Sequence, residues 1–302
     1  MDGTGYIRAM TANASASSPS ARLLVQCADR PGIVAAVSQF LFQHGANIMQ
    51  ADQYSTADGD GHFFLRVEFQ TEGIDCTVEA LRETFGSDIA PEFGMDWRLG
   101  AVERPRVAIL ASRTDHCLLE LLWRWRGGEL PIDIPMVISN HEALRKDVEV
   151  FGIPFEVFPV TSATRPQQEA AIRARLREER IELVVMARYM QILSGEFIAE
   201  YPARIINIHH SFLPAFAGAD PYGRAFERGV KIIGATAHYA TEDLDEGPII
   251  EQDVVRVSHG DTRESLMRLG REVERSVLAR AVQWHIEDRV FVRGNRTVVF
   301  NR

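Results

Sequence analysis

A chain of 302 residues with 46% hydrophobic and 25% charged side chains is long enough to bury two cores and too balanced for a fibre or a long disordered protein. Its formal net charge of −9 leaves no basic field for a phosphate backbone, and no stripe of Lys and Arg interleaves with aromatics, so nucleic acid is excluded as a partner. Cys27, Cys76 and Cys117 form no Cys-x-x-Cys pair, which argues for free thiols in a reducing compartment rather than a disulfide framework or a zinc cluster.

Residues 1–20, MDGTGYIRAMTANASASSPS, read as a flexible tail that lacks the apolar core of a secretory signal. No later run approaches a membrane span, so the expectation is a cytoplasmic protein without a membrane partner. RLLVQC then opens an apolar strand. Pro31 stands at a first helical position behind a capping candidate at Asp29 or Arg30, and Ile33, Val37, Phe40 and Leu41 form a helical stripe that ends at Gly45. NIMQADQYS and HFFLRVEFQ flank the turn-rich TADGDG in a hairpin pattern; a helix over 75–86 and a strand near 92–99 follow.

The predicted order over residues 21–100 is βαββαβ, the split arrangement of ferredoxin-like domains. With DRPGI after the first strand and GANI after the first helix, the segment resembles the ACT domain, a small amino-acid-binding regulatory module. The resemblance implies an effector such as glycine or methionine at Asp29, Arg30, Pro31, Gly32 and Ile33, with Asn47 and Ile48 on the facing segment. A purely structural dimerisation domain is the alternative. Such domains pair their sheets, so a homo-oligomer is expected.

Residues 101–105 read as a linker. Over 106–302 the pattern becomes RVAIL, DIPMVIS, FEVFPV, LVVMAR and RIINIH, short apolar runs separated by helical or loop stretches such as QQEAAIRARLREER, which predicts a Rossmann-like, mostly parallel sheet and an α/β fold. A last helix over 262–288 carries Leu266, Leu269, Val273, Val277 and Ala281 on one stripe.

The chemistry gathers at INIHHSFLPAF, residues 206–216. Strand alternation places Asn207 and His209 on one face and Ile208 and His210 on the other. Ligands of an open parallel sheet collect at the carboxyl ends of its strands, where this pair would sit. GATAHYATEDLDEGPII predicts a strand ending near Tyr239, then an acidic loop that brings Asp245 to the same crevice. An amide, an imidazole and a carboxylate fit acyl chemistry, with an oxyanion stabilised by the first two and water oriented by the third. Ser211 lacks a Gly-x-Ser-x-Gly elbow and Cys117 falls on a predicted helix, so no covalent nucleophile is needed. Adjacent histidines on opposite faces and the lack of an HExxH spacing argue against a metal. Taken singly, His210 and His238 read as turn or core histidines.

NIHHSFLP, GVKIIGATAHY and LDEGPIIEQD together resemble the formyltransferase catalytic domain, and RVFVRGNRTVVF resembles the formyltetrahydrofolate deformylases within that group. The likeness runs from about residue 21 to the end and includes the order of ACT then formyltransferase domain. It implies hydrolysis of 10-formyltetrahydrofolate to tetrahydrofolate and formate in one-carbon and purine metabolism, with Asn207, His209 and Asp245 catalytic. It also implies a folate ring between Met186, Tyr189, Met190, Gln191, Ile192 and Leu193 on one side and Ala240, Thr241 and Glu242 on the other. Folate is then the substrate, and no cofactor is implied.

Relatives that pass the formyl group to glycinamide ribonucleotide use a Gly-rich turn after the first strand of this domain to cradle a phosphate. Here the turn reads ASRTDHCLLELLW, without glycine and with Asp115, which favours water as acceptor. His116 and Cys117 resemble the HC of the deformylases and, with His210, are candidates for closing the pocket; helix capping and core packing are the alternative for the first two. Asp220 and Gly223 depart from the family pattern, which carries a basic residue or Asn and a His there. A glycinamide ribonucleotide formyltransferase and an amino-acid sensor with a degenerate catalytic domain remain as alternatives.

Overall fold

The computed structural model describes residues 18–57, 61–214 and 221–301. Most of the predicted tail, the tip of the predicted hairpin turn and Asp220 lie outside the described residues. The chain divides into two units, Met1–Glu103 and Arg104–Arg302.

In the first unit, β1 (Ser20–Ala28), α1 (Ile33–Gln43), β2 (Asn47–Ser55), β3 (His62–Gln70), α2 (Val78–Asp88), the single turn α3 (Ala90–Phe93) and β4 (Asp96–Ala101) follow one another. The strands pair antiparallel in the order β2-β3-β1-β4. Successive residues of β1 face opposite ways, so Leu23, Val25 and Cys27 point into a core closed by Val37, Phe40 and Leu41 of α1 and Leu81 and Phe85 of α2. The start of α1 corrects the expectation of a cap at Asp29 or Arg30. Gly32 is the N-cap residue, at φ 99° and without a side-chain cap, a left-handed conformation that glycine adopts without steric cost.

The second unit begins with β5 (Arg106–Ala111), α4 (His116–Arg126), β6 (Asp133–Ser139), α5 (Arg145–Glu149), β7 (Phe155–Val157), α6 (Arg165–Glu178), β8 (Leu183–Ala187) and α7 (Gly195–Glu200). It continues with β9 (Ile205–His209), α8 (Pro221–Arg228), β10 (Ile232–Tyr239), β11 (Ile249–Arg256), α9 (Arg263–Ile286), β12 (Val290–Arg293) and β13 (Arg296–Val299). Seven strands form one sheet in the order β11-β10-β9-β8-β5-β6-β7. The five strands β5 to β9 are parallel, and β10 runs antiparallel to both β9 and β11.

Every residue of β8 is buried, as a sheet covered on both faces requires. Leu118 and Leu122 of α4 with Val277 and Ala281 of α9 pack on one face, and Ile172 of α6 with Phe197 of α7 on the other. Thr262 caps α9 by accepting from the Ser265 N–H. From β5 the chain moves outward to β6 and β7 and then returns to β8 on the other side of β5. The carboxyl ends of β5 and β8 therefore flank a topological switch point, the place where such sheets open a crevice. Among the described residues no helix is long and apolar enough to cross a membrane.

Candidate active site

Asn207 and His209 stand at the carboxyl end of β9, and the antiparallel register pairs Asn207 with His238 of β10. The Nδ1–H of His238 donates to the Tyr239 carbonyl at 3.0 Å, which leaves Nε2 to accept from the Asn207 amide at 3.1 Å. One amide hydrogen is thereby tied back and the other is left for a ligand. Asp245 follows in the loop after β10. Its Oδ2 lies 3.1 Å from His209 Nδ1, and its Oδ1 lies 3.7 Å from His238 Nε2. His209 Nε2 is buried and makes no hydrogen bond within the protein.

Burial pushes the Asp245 carboxyl up, but the hydrogen bond and charge of His209 beside it outweigh that and hold the group well below the usual carboxylate range. The loop reaches this place through two backbone features. Asp245 itself is left-handed, at φ 59°, and a Cβ on Gly247 would lie 1.8 Å from the Tyr239 carbonyl oxygen, so the return strand passes where only glycine fits. The predicted trio meets, with His238 as a fourth member that local sequence does not single out.

These groups open on a cavity of about 500 Å³. Met186, Tyr189, Met190, Gln191, Ile192 and Leu193 line it from the end of β8, and Ala240, Thr241 and Glu242 line it from the loop after β10. Met186, Tyr189 and Leu193 are buried, whereas Met190 and Ile192 are 58% and 51% exposed, so the wall continues outward as open apolar surface. The wall is pinned at two points: the Met190 N–H donates to Ser112 Oγ at 3.0 Å, and Gln168 donates to the Tyr189 hydroxyl at 2.9 Å.

Residues 105–282 match the formyl transferase family and residues 21–86 the ACT domain. The chain is 55% identical over 281 residues to a formyltetrahydrofolate deformylase from Bacillus subtilis (strain 168), covering 93% of each chain. The chain belongs to the formyltetrahydrofolate deformylase family. The crystal structure of a formyltetrahydrofolate deformylase from Pseudomonas syringae pv. tomato str. DC3000 superposes with a TM-score of 0.91 at 46% identity, over 99% of this chain and 100% of that one. A glycinamide ribonucleotide transformylase 1 from Symbiobacterium toebii reaches 0.62 at 32% identity, covering 66% of this chain and 95% of that one. At 99% coverage the deformylase match thus takes in the first unit as well.

Within the deformylase pattern, the three candidates for pocket closure separate. His210 lines the cavity, although alternation predicts the opposite face; β9 ends at His209, and past a strand end the two-residue period no longer holds. Burial and then the charge of Arg188 push the His210 imidazole down to about 4, so it is neutral at pH 7. Neither His116 nor Cys117 is on the wall. Cys117 belongs to the core between α4, α9 and the sheet, and burial raises its thiol well above the usual range. His116, the first residue of α4, reaches Glu274 of α9 at 2.8 Å behind the cavity. Gly223 is buried on α8. Among the described residues two sets, His44–Asp75–Cys76 and His116–Cys117–Glu274, bring ligand-type atoms within 4.8 Å, and neither includes a member of the trio.

In the ACT unit, Pro31 and Gly32 are exposed, Asp29 donates its N–H to the Gly61 carbonyl at 2.7 Å, and the Arg30 guanidinium lies 4.4 Å from the centre of the Phe93 ring. Ile33 is buried in the core, Asn47 donates to the Gln70 side chain at 3.0 Å, and Ile48 is exposed. Ile33 is therefore a packing residue rather than a group free to touch an effector.

Proposed function

We propose that the chain hydrolyses 10-formyltetrahydrofolate to tetrahydrofolate and formate. The observation that carries this is the meeting of Asn207, His209 and Asp245 on one cavity with an apolar wall. The folate ring lies against Met186 and Tyr189–Leu193, with the 240–245 loop opposite, and the formyl group points at the trio. The formyl oxygen takes the free Asn207 amide hydrogen and the His209 Nε2–H, so both donors meet the charge that grows there as the carbon becomes tetrahedral.

Asp245 orients the attacking water. Its low affinity for a proton keeps it ionised in the resting site, and the water becomes acidic enough to yield its proton only as the C–O bond forms. That proton then reaches the folate nitrogen, the C–N bond breaks, and formate leaves. Water and side chains suffice, so the reaction calls for no cofactor and no metal.

The turn after β5 favours hydrolysis over transfer to a phosphorylated amine. It has no glycine, and α4 begins behind Asp115 without a side-chain cap, where a carboxylate repels a phosphate. The ACT unit supports control by a small amino acid such as glycine or methionine in a homo-oligomer, and free thiols at Cys27, Cys76 and Cys117 suit the cytoplasm. Incubation with 10-formyltetrahydrofolate and no amine tests the activity: equal release of tetrahydrofolate and formate is expected. Transfer seen only with glycinamide ribonucleotide would identify a transferase, and amino-acid binding with no turnover would identify a sensor.

A further inference from the structure

We infer that Arg188, positioned by Glu274, selects the acceptor: it closes the remaining wall of the cavity so that water reaches the formyl carbon and an amine does not. This rests on the proposed hydrolysis, since it concerns which nucleophile the same centre admits. With the folate ring between the end of β8 and the 240–245 loop, the side left over is lined by Arg188, His210 and Tyr222.

Glu274 stands behind that side. Its carboxylate is 1% exposed and holds three groups: Oε2 lies 2.8 Å from His116 Nε2 and 3.4 Å from Arg188 Nε, and Oε1 accepts from the Tyr222 hydroxyl at 2.5 Å. The segment after β8 and the helices α4, α8 and α9 are thus tied to one buried charge, and a wall fastened this way does not yield to a larger nucleophile. The ring of His210 lies 5.1 Å from that of His209 and 6.2 Å from that of Tyr222, which joins the wall to the catalytic centre.

The backbone is shaped for this wall. Arg188 is left-handed, at φ 63°, a conformation costly for a long side chain. Gly270 of α9 leaves the space that Tyr222 fills, since a Cβ there would lie 2.1 Å from the Tyr222 hydroxyl oxygen. Arg188 is also, among the described residues, the one Lys or Arg that lines the cavity, and its buried Nε and Nη1 make no hydrogen bond within the protein. The side chain fills the space through which an amine with its carbon chain would approach the formyl carbon, whereas a water molecule needs no such opening.

In hydrolysis a C–O bond forms at the formyl carbon, the C–N bond to folate breaks, the folate nitrogen gains a proton and formate leaves. An amine admitted in its neutral form forms a C–N bond in place of C–O, gives up one proton that passes to the folate nitrogen as the C–N bond to folate breaks, and leaves as an N-formyl amine; no other reactant is needed.

The full chain is incubated with 10-formyltetrahydrofolate and excess glycinamide, and N-formylglycinamide and formate are measured together. Their ratio does not depend on how much of the enzyme is folded. Wild type is expected to give formate, and Arg188→Lys, which keeps the charge and much of the length, to do the same. Arg188→Gly suits the left-handed backbone and empties the wall; joined to Glu274→Gln, it also removes the buried charge left behind. The double variant is expected to raise the ratio of amide to formate at least about tenfold. An unchanged ratio in Arg188→Gly and in the double variant overturns the inference. Loss of both products with an unaltered thermal melt overturns it too, because Arg188 would then serve the chemistry itself. If wild type releases no formate, the proposed hydrolysis fails instead.

Discussion

Nδ1 of His209 lies 3.1 Å from Oδ2 of Asp245, and the contact exists because Asp245 takes a left-handed backbone that turns its carboxylate back toward β9. Asp245→Asn keeps the shape and removes the charge. Turnover is expected to fall by about 10²–10⁴-fold with little change in folate affinity. Steady-state formate release and titration with a non-hydrolysable folate analogue check the two halves, and near-normal turnover would remove Asp245 from the mechanism.

In the proposed mechanism His238 acts through Asn207, which it holds at 3.1 Å. Asn207→Ala should lower kcat by about 10²–10³-fold, the usual loss for one oxyanion donor. His238→Ala frees the Asn207 amide to rotate and should cost up to about 10²-fold. The double variant should be no worse than Asn207→Ala alone. A fully multiplicative loss would show that His238 contributes independently.

The neutral His210 makes stability depend on pH. Its folded pKa, about 4, lies below the ordinary 6.5, so between these values the unfolded chain binds a proton that the folded chain does not. Stability is complete above pH 6.5 and declines as the pH falls toward 4, by up to about 3 kcal/mol. His210→Gln should lose that share of the pH dependence. Urea melts of both proteins at pH 7 and 4.5 measure it, and parallel losses would show that His210 titrates normally.

Gly247→Ala places a methyl group into the Tyr239 carbonyl, and neither strand can shift without moving Asp245. A loss of about 1–3 kcal/mol in stability, together with most of the turnover, is expected. Thermal melts and formate assays follow the two effects, and a stable, active variant would show that the loop has another path.

Thiol alkylation should leave the activity intact. Cys27 and Cys117 are buried, and desolvation raises the thiol of each of the three cysteines, which slows attack on iodoacetamide. Mass spectrometry should find modification confined to Cys76 in the native protein. Inactivation that tracks labelling of Cys117 would revive a thiol role in the reaction.

The parts legible in sequence were those carried by local periodicity. Alternation in INIH placed Asn207 and His209 together, the strand-helix rhythm after residue 106 indicated the parallel sheet, and the acidic loop pointed to Asp245. His238 was not legible as a partner, because it meets Asn207 through an antiparallel register that no short window encodes. The Glu274 contact with His116 spans 158 residues, and a glutamate on an apolar helical stripe gives no sign of what it holds. The cap of α1 escapes the sequence because a positive φ at Gly32 belongs to the turn and not to the helix period. Alternation misassigns the face of His210 because the strand stops one residue before it.

The pairing of β9 with β10 makes the proposed catalytic centre a short-range construction. Asn207, His209, His238 and Asp245 all come from residues 207 to 245, two sequence-adjacent antiparallel strands and the loop that follows. The distances among the first three are set by a ladder of backbone hydrogen bonds, whereas the carboxylate rides on the loop. The centre therefore has a stationary half and an adjustable half. Drift in the loop would change the reach of the proposed base while the proposed oxyanion donors stay in register.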